Sequence, residues 1–206
     1  MRVALLLASL LPAVAAPRIV YTKAFPGSTP PWAQIALERD GKAVYKEAPD
    51  DEQPIKFALP QEDADVIFAL ADKLNHFKDP LESGLKVANM GSKTLRWEDG
   101  GTHQEATFNY SQNEDCRVIH DWFEKMNETQ QLYIAVERTV KYDKLGANKA
   151  LLQLQALMER NRLTGGAHFL PLLERVIKND SFLNMARDRA ANLAEWIKNP
   201  KPRPQP

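Results

Sequence analysis

The spacing of apolar residues differs between the two halves of the chain, and this difference constrains the fold more than any other feature. From about residue 32 to residue 110, apolar and polar residues mostly alternate, which indicates strands that bury one face. From residue 111 onwards, apolar residues recur at helical spacing, which indicates helices that bury one stripe. This order predicts an α+β fold, with the sheet first and most of the helices after it.

Two Asp-Gly turns organise the first half. Asp40-Gly41 separates two short alternating segments, and Asp99-Gly100 separates two more. The type I′ turn of a tight hairpin needs positive φ at both central residues, which favours this pair. With a further alternating segment at 55–59, the hairpins predict an antiparallel sheet of about five strands.

Residues 61–77 form a predicted helix that covers this sheet. Its apolar residues, among them Leu70 and Leu74, fall on one face, and acidic residues occupy its first turn. The helix dipole favours negative charge at that end. Asp79-Pro80 marks the end of the helix, because a residue before proline avoids the α conformation.

A long helix opens the second half. Ser111 and Glu114 have the spacing of a capping box, and no glycine or proline follows before Gly146. We therefore expect one helix that contacts the sheet through Trp122 and the later helices through Tyr133. With the helices that follow, the pattern predicts a C-terminal region of about three or four helices.

The expected organisation has four parts. A signal peptide occupies 1–15, an α+β sheet domain 16–126, a helical region packed on it 127–199, and a Pro-rich tail 200–206. A continuous helix across residue 127 would join the two middle parts into one domain. A bend at Thr129, which could cap a new helix, would instead separate them.

The N-terminal segment has the order of a secretory signal peptide: Arg2, an apolar stretch from Val3 to Leu11, then Ala13-Val14-Ala15. The apolar stretch is about nine residues long, whereas a bilayer span takes about 20. We expect an exported protein, periplasmic or extracellular, with no transmembrane span in its mature form. The alternative is that the segment is a buried strand or helix of the fold.

Composition excludes several classes of function. The 27 basic residues balance 27 acidic ones, so no basic footprint suggests a nucleic-acid partner. One cysteine cannot form a disulfide framework, and apolar residues at core spacing indicate that Cys116 is buried and structural. The four histidines have no zinc-protease spacing, so we expect neither metal nor cofactor.

Arg96, His103 and Glu105 are the candidate catalytic residues. His103 and Glu105 are two apart on one predicted strand, so both project to the same face, together with Arg96 of the neighbouring strand. A histidine beside a carboxylate can act as a general base. The other interpretation is a solvated sheet face with cross-strand charge pairs, each worth a few tenths of a kcal/mol.

Three stretches carry a resemblance to a known group of proteins. They are FPGS at 25–28, PLESGLK at 80–86 and YDKLG at 142–146. Through them the mature chain resembles a group of exported bacterial proteins of unassigned function. The resemblance implies an exported, intact fold and supplies no active site.

The segment 169–197 resembles a single HEAT-type helical pair. The residues that carry this resemblance are Pro171 early in the first helix, Asp180 at the turn and Ala190 in the second helix. Such pairs usually stack on one another to bury their apolar faces. The resemblance implies a helical surface that binds protein.

These observations favour an exported protein that acts by binding, with another envelope or secreted protein as its partner. The alternative is a hydrolase-type enzyme that uses the His103/Glu105 strand face. The identity of the ligand and the oligomeric state are open at this point.

Cleavage of the signal peptide is directly testable. N-terminal sequencing of the protein purified from its native host should begin at Ala16, because signal peptidase requires small residues such as Ala13 and Ala15 before the cut. A protein that keeps Met1 and remains in the cytoplasm would contradict the prediction.

Overall fold

A computed structural model describes residues 16–200 of the chain. The predicted signal peptide, 1–15, and residues 201–206 of the predicted tail lie outside the described residues. The predicted α+β class is confirmed: an antiparallel sheet of six strands packs against helices. None of the helices within 16–200 is long and apolar enough to cross a membrane.

The strands are β1 (Arg18–Ala24), β2 (Trp32–Glu38), β3 (Lys42–Lys46), β4 (Ile55–Ala58), β5 (Ser92–Asp99) and β6 (Thr102–Phe108). The helices are α1 (Gln61–Lys73), α2 (Glu114–Tyr142), α3 (Ala147–Glu159), α4 (Leu170–Ile177) and α5 (Asn184–Lys198). The strand order across the sheet is β4-β3-β2-β1-β5-β6, and every neighbouring pair is antiparallel. Both hairpins predicted at Asp-Gly turns, β2–β3 and β5–β6, are therefore confirmed.

The sheet has one strand more than the sequence predicts. The additional strand is β1, which pairs with β2 on one side and with β5 on the other. Its residues Ile19, Val20 and Tyr21 are consecutive and all buried. Val20 lies on the outer face between its cross-strand neighbours Ala36 and Arg96, and its burial there makes the apolar segment continuous. A continuous apolar segment shows no alternation, which is why the period-two pattern did not reveal the strand.

The C-terminal end of the covering helix differs from its predicted position. The helix predicted over 61–77 ends at Lys73, because Asn75, His76 and Phe77 have φ angles of 50°, 52° and 64°, outside the right-handed helical region. The helix therefore ends about one turn before its predicted end at residue 77, and the Asp79-Pro80 pair does not terminate it.

The capping box predicted at Ser111 is wrong. The N-cap of α2 is Asn113, whose Oδ1 accepts a hydrogen bond from the Cys116 backbone N–H at 3.0 Å. Ser111 lies two residues before this N-cap, and its Oγ accepts a hydrogen bond from the Asn113 backbone N–H at 3.3 Å. The core position predicted for Cys116 is confirmed, and burial raises the pKa of its thiol.

Helix α2 is continuous over 29 residues and contributes to two hydrophobic cores. Its first half, with Phe123 and Met126, is buried in the core beneath the sheet, and Trp122 packs against that core. Its second half, with Val136, is buried in the core of the later helices, where Tyr133 also packs. The bend considered at residue 129 does not occur.

Polar contacts join the two cores where α2 passes from one to the other. Arg162, after α3, donates from Nε and Nη2 to the Glu128 carboxylate at 2.6 and 2.8 Å and from Nη1 to Asp121 at 3.0 Å. The Thr164 backbone N–H donates to the hydroxyl of Thr129, which is fully buried, at 3.2 Å. Several charge-assisted bonds to one guanidinium fix the helical region against the middle of α2.

The shared helix makes the assignment of one or two domains testable. A fragment ending at residue 127 removes the half of α2 that lies in the second core and exposes apolar surface at about 25 cal/mol per Å². We expect the fragment 16–127 to unfold at a lower temperature than the chain 16–206 or to aggregate, with thermal denaturation as the measurement. The chain 16–206 should unfold in one transition; two transitions, one matching the fragment, would contradict the coupling.

Candidate functional site

The structure brings Arg96, His103 and Glu105 together on one face of the β5–β6 hairpin. Arg96 is directly opposite Glu105, and Glu98 is directly opposite His103. His103 and Glu105 are exposed, whereas Arg96 is half-buried. This face is the one turned away from the helices, since its neighbours of opposite parity, such as Leu95, lie in the core.

The contacts on this face are those of a cross-strand charge network. The Arg96 Nε lies 3.2 Å from a carboxylate oxygen of Glu98 and 3.9 Å from one of Glu105. Within the part of the chain that the structure describes, no hydrogen bond joins His103 to Glu105. Exposed pairs of this kind contribute a few tenths of a kcal/mol each.

A second charged cluster, which the sequence did not predict, lies on the opposite, inner face. Lys23 of β1 and Lys93 of β5 are direct cross-strand neighbours there, and Lys93 is only 5% exposed. Like charges directly opposite each other destabilise a sheet. Their parity with Tyr21 and Leu95 in the sequence was the available signal, because that parity places both lysines on the buried face.

Glu124 of α2 supplies the opposite charge. Its carboxylate accepts from Lys23 Nζ at 2.6 Å and from the Tyr21 hydroxyl at 2.7 Å. Burial opposes the ionisation of Glu124, yet these two hydrogen bonds outweigh it, so the pKa of the carboxyl is lowered. The Glu124 carboxylate therefore links α2 to the sheet through two residues of β1.

Lys93 depends on a different acceptor. Its Nζ donates to the Asn109 carbonyl oxygen at 2.8 Å, while burial and the charge of Lys23 lower the pKa of its ammonium. Asn109 also accepts from the Met90 N–H through Oδ1 and donates to the Ala88 carbonyl through Nδ2. The loop that precedes β5 is thereby attached to the end of β6.

His120 completes the cluster one turn before Glu124. Its ring lies edge-on to the rings of Tyr21 and Phe108, with centroids 5.9 Å away in both cases. Its Nε2 is buried without a hydrogen bond, 3.8 Å from the Glu124 carboxylate. Burial lowers the pKa of His120, so the imidazole is neutral at pH 7.

A cavity of about 210 Å³ adjoins this cluster, between the loop 25–31 and α2. Its lining includes Lys23, Glu124 and Glu128. These charges already have partners within the protein, since Lys23 pairs with Glu124 and Glu128 with Arg162. The cavity therefore offers a ligand no unpaired charge among these three residues, and its volume is smaller than the roughly 300–1,000 Å³ of most ligand pockets.

A third feature is a group of exposed apolar side chains at one end of the helical region, here named the helical tip: Tyr142, Leu145, Leu183 and Met185. Tyr142 is 83% exposed and Leu145 is 77% exposed. The two connections that carry the tip touch each other: Lys144 Nζ donates to the Ser181 hydroxyl at 2.7 Å. Exposed apolar groups on adjacent connections are typical of interaction sites.

The charge around the tip is positive. Residues 137–149 contain the basic residues Arg138, Lys141, Lys144 and Lys149 and the acidic residues Glu137 and Asp143, and Glu137 pairs with Lys141. The segment carries a formal excess of two positive charges, four minus two. An acidic surface is the electrostatic complement of such a segment.

Comparison with protein-family models, with curated proteins and with solved structures finds no match to this chain. The resemblance to exported bacterial proteins and the HEAT-type pair at 169–197 therefore stay predictions. In residues 16–200, no group of three or more His, Cys, Asp or Glu side chains is placed to hold a metal ion.

The buried neutral His120 predicts a loss of stability on acidification. In the unfolded chain a histidine titrates near pH 6.5, and the folded pKa is lower. Below about pH 6.5 the unfolded state therefore binds more protons, and the free energy of unfolding falls by up to about 1.4 kcal/mol per pH unit from this group. His120→Gln should flatten that part of the profile, measured by urea unfolding between pH 7.5 and 5.5.

Ile119→Val is the matched control, because Ile119 is fully buried in the same core and does not titrate. It should lower stability by about 1 kcal/mol at every pH and keep the wild-type slope. Equal slopes for His120→Gln and the wild type would contradict the prediction.

Proposed function

We propose that the mature chain is an exported binding protein of the cell envelope whose helical tip docks onto another exported protein. The observation that carries this proposal is the exposure of the apolar side chains of the tip. These side chains protrude from two adjacent connections and include a tyrosine. Residues that anchor protein interfaces are commonly exposed apolar and aromatic side chains of this kind.

The partner's chemistry follows from the surroundings of the tip. An apolar recess takes up Tyr142 and Leu145, and acidic side chains at its rim complement the basic residues between 138 and 149. The predicted signal peptide and the HEAT-type resemblance at 169–197 support an exported, protein-binding role.

The alternative, a hydrolase that uses His103 and Glu105, stays a prediction. Both side chains are exposed on an edge strand, and the charge of Arg96 lies 3.9 Å from the Glu105 carboxylate. This arrangement suits a surface charge network, and no observation favours catalysis there.

A photo-crosslinking residue at position 145 tests the docking proposal in the native host. We expect a discrete crosslinked protein from position 145 and none from position 56, since Lys56 is an exposed residue of β4 in the sheet. Excess purified mature chain competes for the partner and should suppress the product at least about tenfold. The same excess of Leu145→Asp should not suppress it.

The crosslinked protein is then identified, purified and titrated with the wild-type chain and with Leu145→Asp. Tighter binding of the wild-type chain that weakens with salt supports the proposal. Equal crosslinking from positions 145 and 56, or binding to anionic lipid vesicles instead of a protein, would overturn it.

A further inference from the structure

The two edges of the sheet are not alike. At the β4 edge, the chain after α3 approaches so closely that a Cβ on Gly165 would lie 2.5 Å from the Ala58 carbonyl oxygen. Strand β6 is the other edge, seven residues long, and β5 is the only strand within residues 16–200 that pairs with it. An edge strand of this length offers its outward N–H and C=O groups to another strand.

We propose that β6 pairs antiparallel with β6 of a second copy of this chain, so that the six strands of each copy form one continuous sheet around a two-fold axis. The axis passes next to Gln104, which then lies opposite Gln104 of the second copy. In this register His103 is opposite Glu105 of the second copy, and Glu105 is opposite its His103.

Charge complementarity selects this register. A two-fold axis at Glu105 would place two carboxylates opposite each other, and an axis at Ala106 would pair Glu105 with Thr107. Only the axis at Gln104 places an imidazole against a carboxylate, and the symmetry makes that contact twice. His103 serves as a hydrogen-bond donor to the carboxylate in this arrangement.

The neighbouring strands extend the pattern on both sides of the junction. Arg18 forms an ion pair with Glu98, and Glu98 is the cross-strand neighbour of His103. On the far side, Glu105 of the second copy is the cross-strand neighbour of its own Arg96. The row across the junction therefore alternates cationic residues or histidine with carboxylates, and no two like charges are adjacent.

The inner face supplies an independent observation. The amide oxygen of Gln104 is buried without a hydrogen-bond partner. Across the proposed axis, two Gln104 side chains lie opposite each other, and rotation about the last side-chain torsion lets each amide donate to the other. Self-pairing thus satisfies a polar group that the single chain leaves unsatisfied.

One strand pair makes a small interface, and interfaces below roughly 1,200 Å² are typical of weak complexes, so we expect the dimer to form at high protein concentration and to dissociate on dilution. Analytical ultracentrifugation of the mature chain across about three decades of concentration should show a reversible monomer–dimer equilibrium. A monomer at every concentration overturns the proposal.

Charge reversal tests the register. His103→Glu places two pairs of carboxylates in opposition, and Glu105→Lys removes both carboxylate acceptors, so each variant should weaken dimerisation about tenfold. The double variant restores opposite charges and should return to within about threefold of the wild type. Thermal unfolding confirms that each variant is folded. Failure of the double variant to recover overturns the register.

A cysteine crosslink locates the axis. Gln104→Cys should form a disulfide-linked dimer on mild oxidation, whereas Thr107→Cys, which faces Gly101 of the second copy, should not. The native Cys116 is fully buried and does not compete. Equal crosslinking at positions 104 and 107 overturns the proposal. Leu145→Asp, at the helical tip, should leave dimerisation unchanged, so failure of the docking function and failure of self-pairing are distinguishable.

Discussion

The continuity of helix α2 is the constraint on which the rest of the structure depends. Its first half buries Phe123 beneath the sheet and its second half buries Val136 among the later helices. Neither core is complete without this one element, and the Arg162 contacts fix the junction between them. Most of the stability of a helix in a protein comes from tertiary packing of its apolar face, so both cores and this 29-residue helix stabilise one another.

Much of this fold follows from local patterns in the sequence. The Asp-Gly turns determine both hairpins, and the stripe through Trp122 and Tyr133 predicts the long helix. The alternating pattern does not predict strand β1, because Val20 is buried on the outer face between its neighbours from β2 and β5. The predicted capping box is wrong because Asn113, nearer the helix, provides the hydrogen bond. Local patterns identify an element when apolar and polar residues fall on opposite faces, and they do not reveal a strand whose apolar residues are consecutive.

The inner charged cluster shows a second limit of sequence reasoning. Parity within each strand places Lys23 and Lys93 on a buried face. That the two lysines are direct neighbours follows only from the pairing of β1 with β5. Glu124 lies on helix α2 and contacts Lys23. The pattern of the strands does not specify how that helix is rotated about its axis against the sheet. An ion pair between elements distant in sequence depends on tertiary register, and this register is fixed by packing around Phe123 and not by local propensity.

The two proposed surfaces lie far apart, and the distance follows from α2. His120 lies against Phe108, the last residue of β6, while Tyr142 ends the helix at the tip. At 1.5 Å per residue, these positions are about 33 Å apart along the helix. A dimer formed through β6 therefore leaves both tips free and presents two identical docking sites. A partner that offers two recesses at a matching distance then binds both tips, and the second contact is intramolecular, which raises avidity without any new contact.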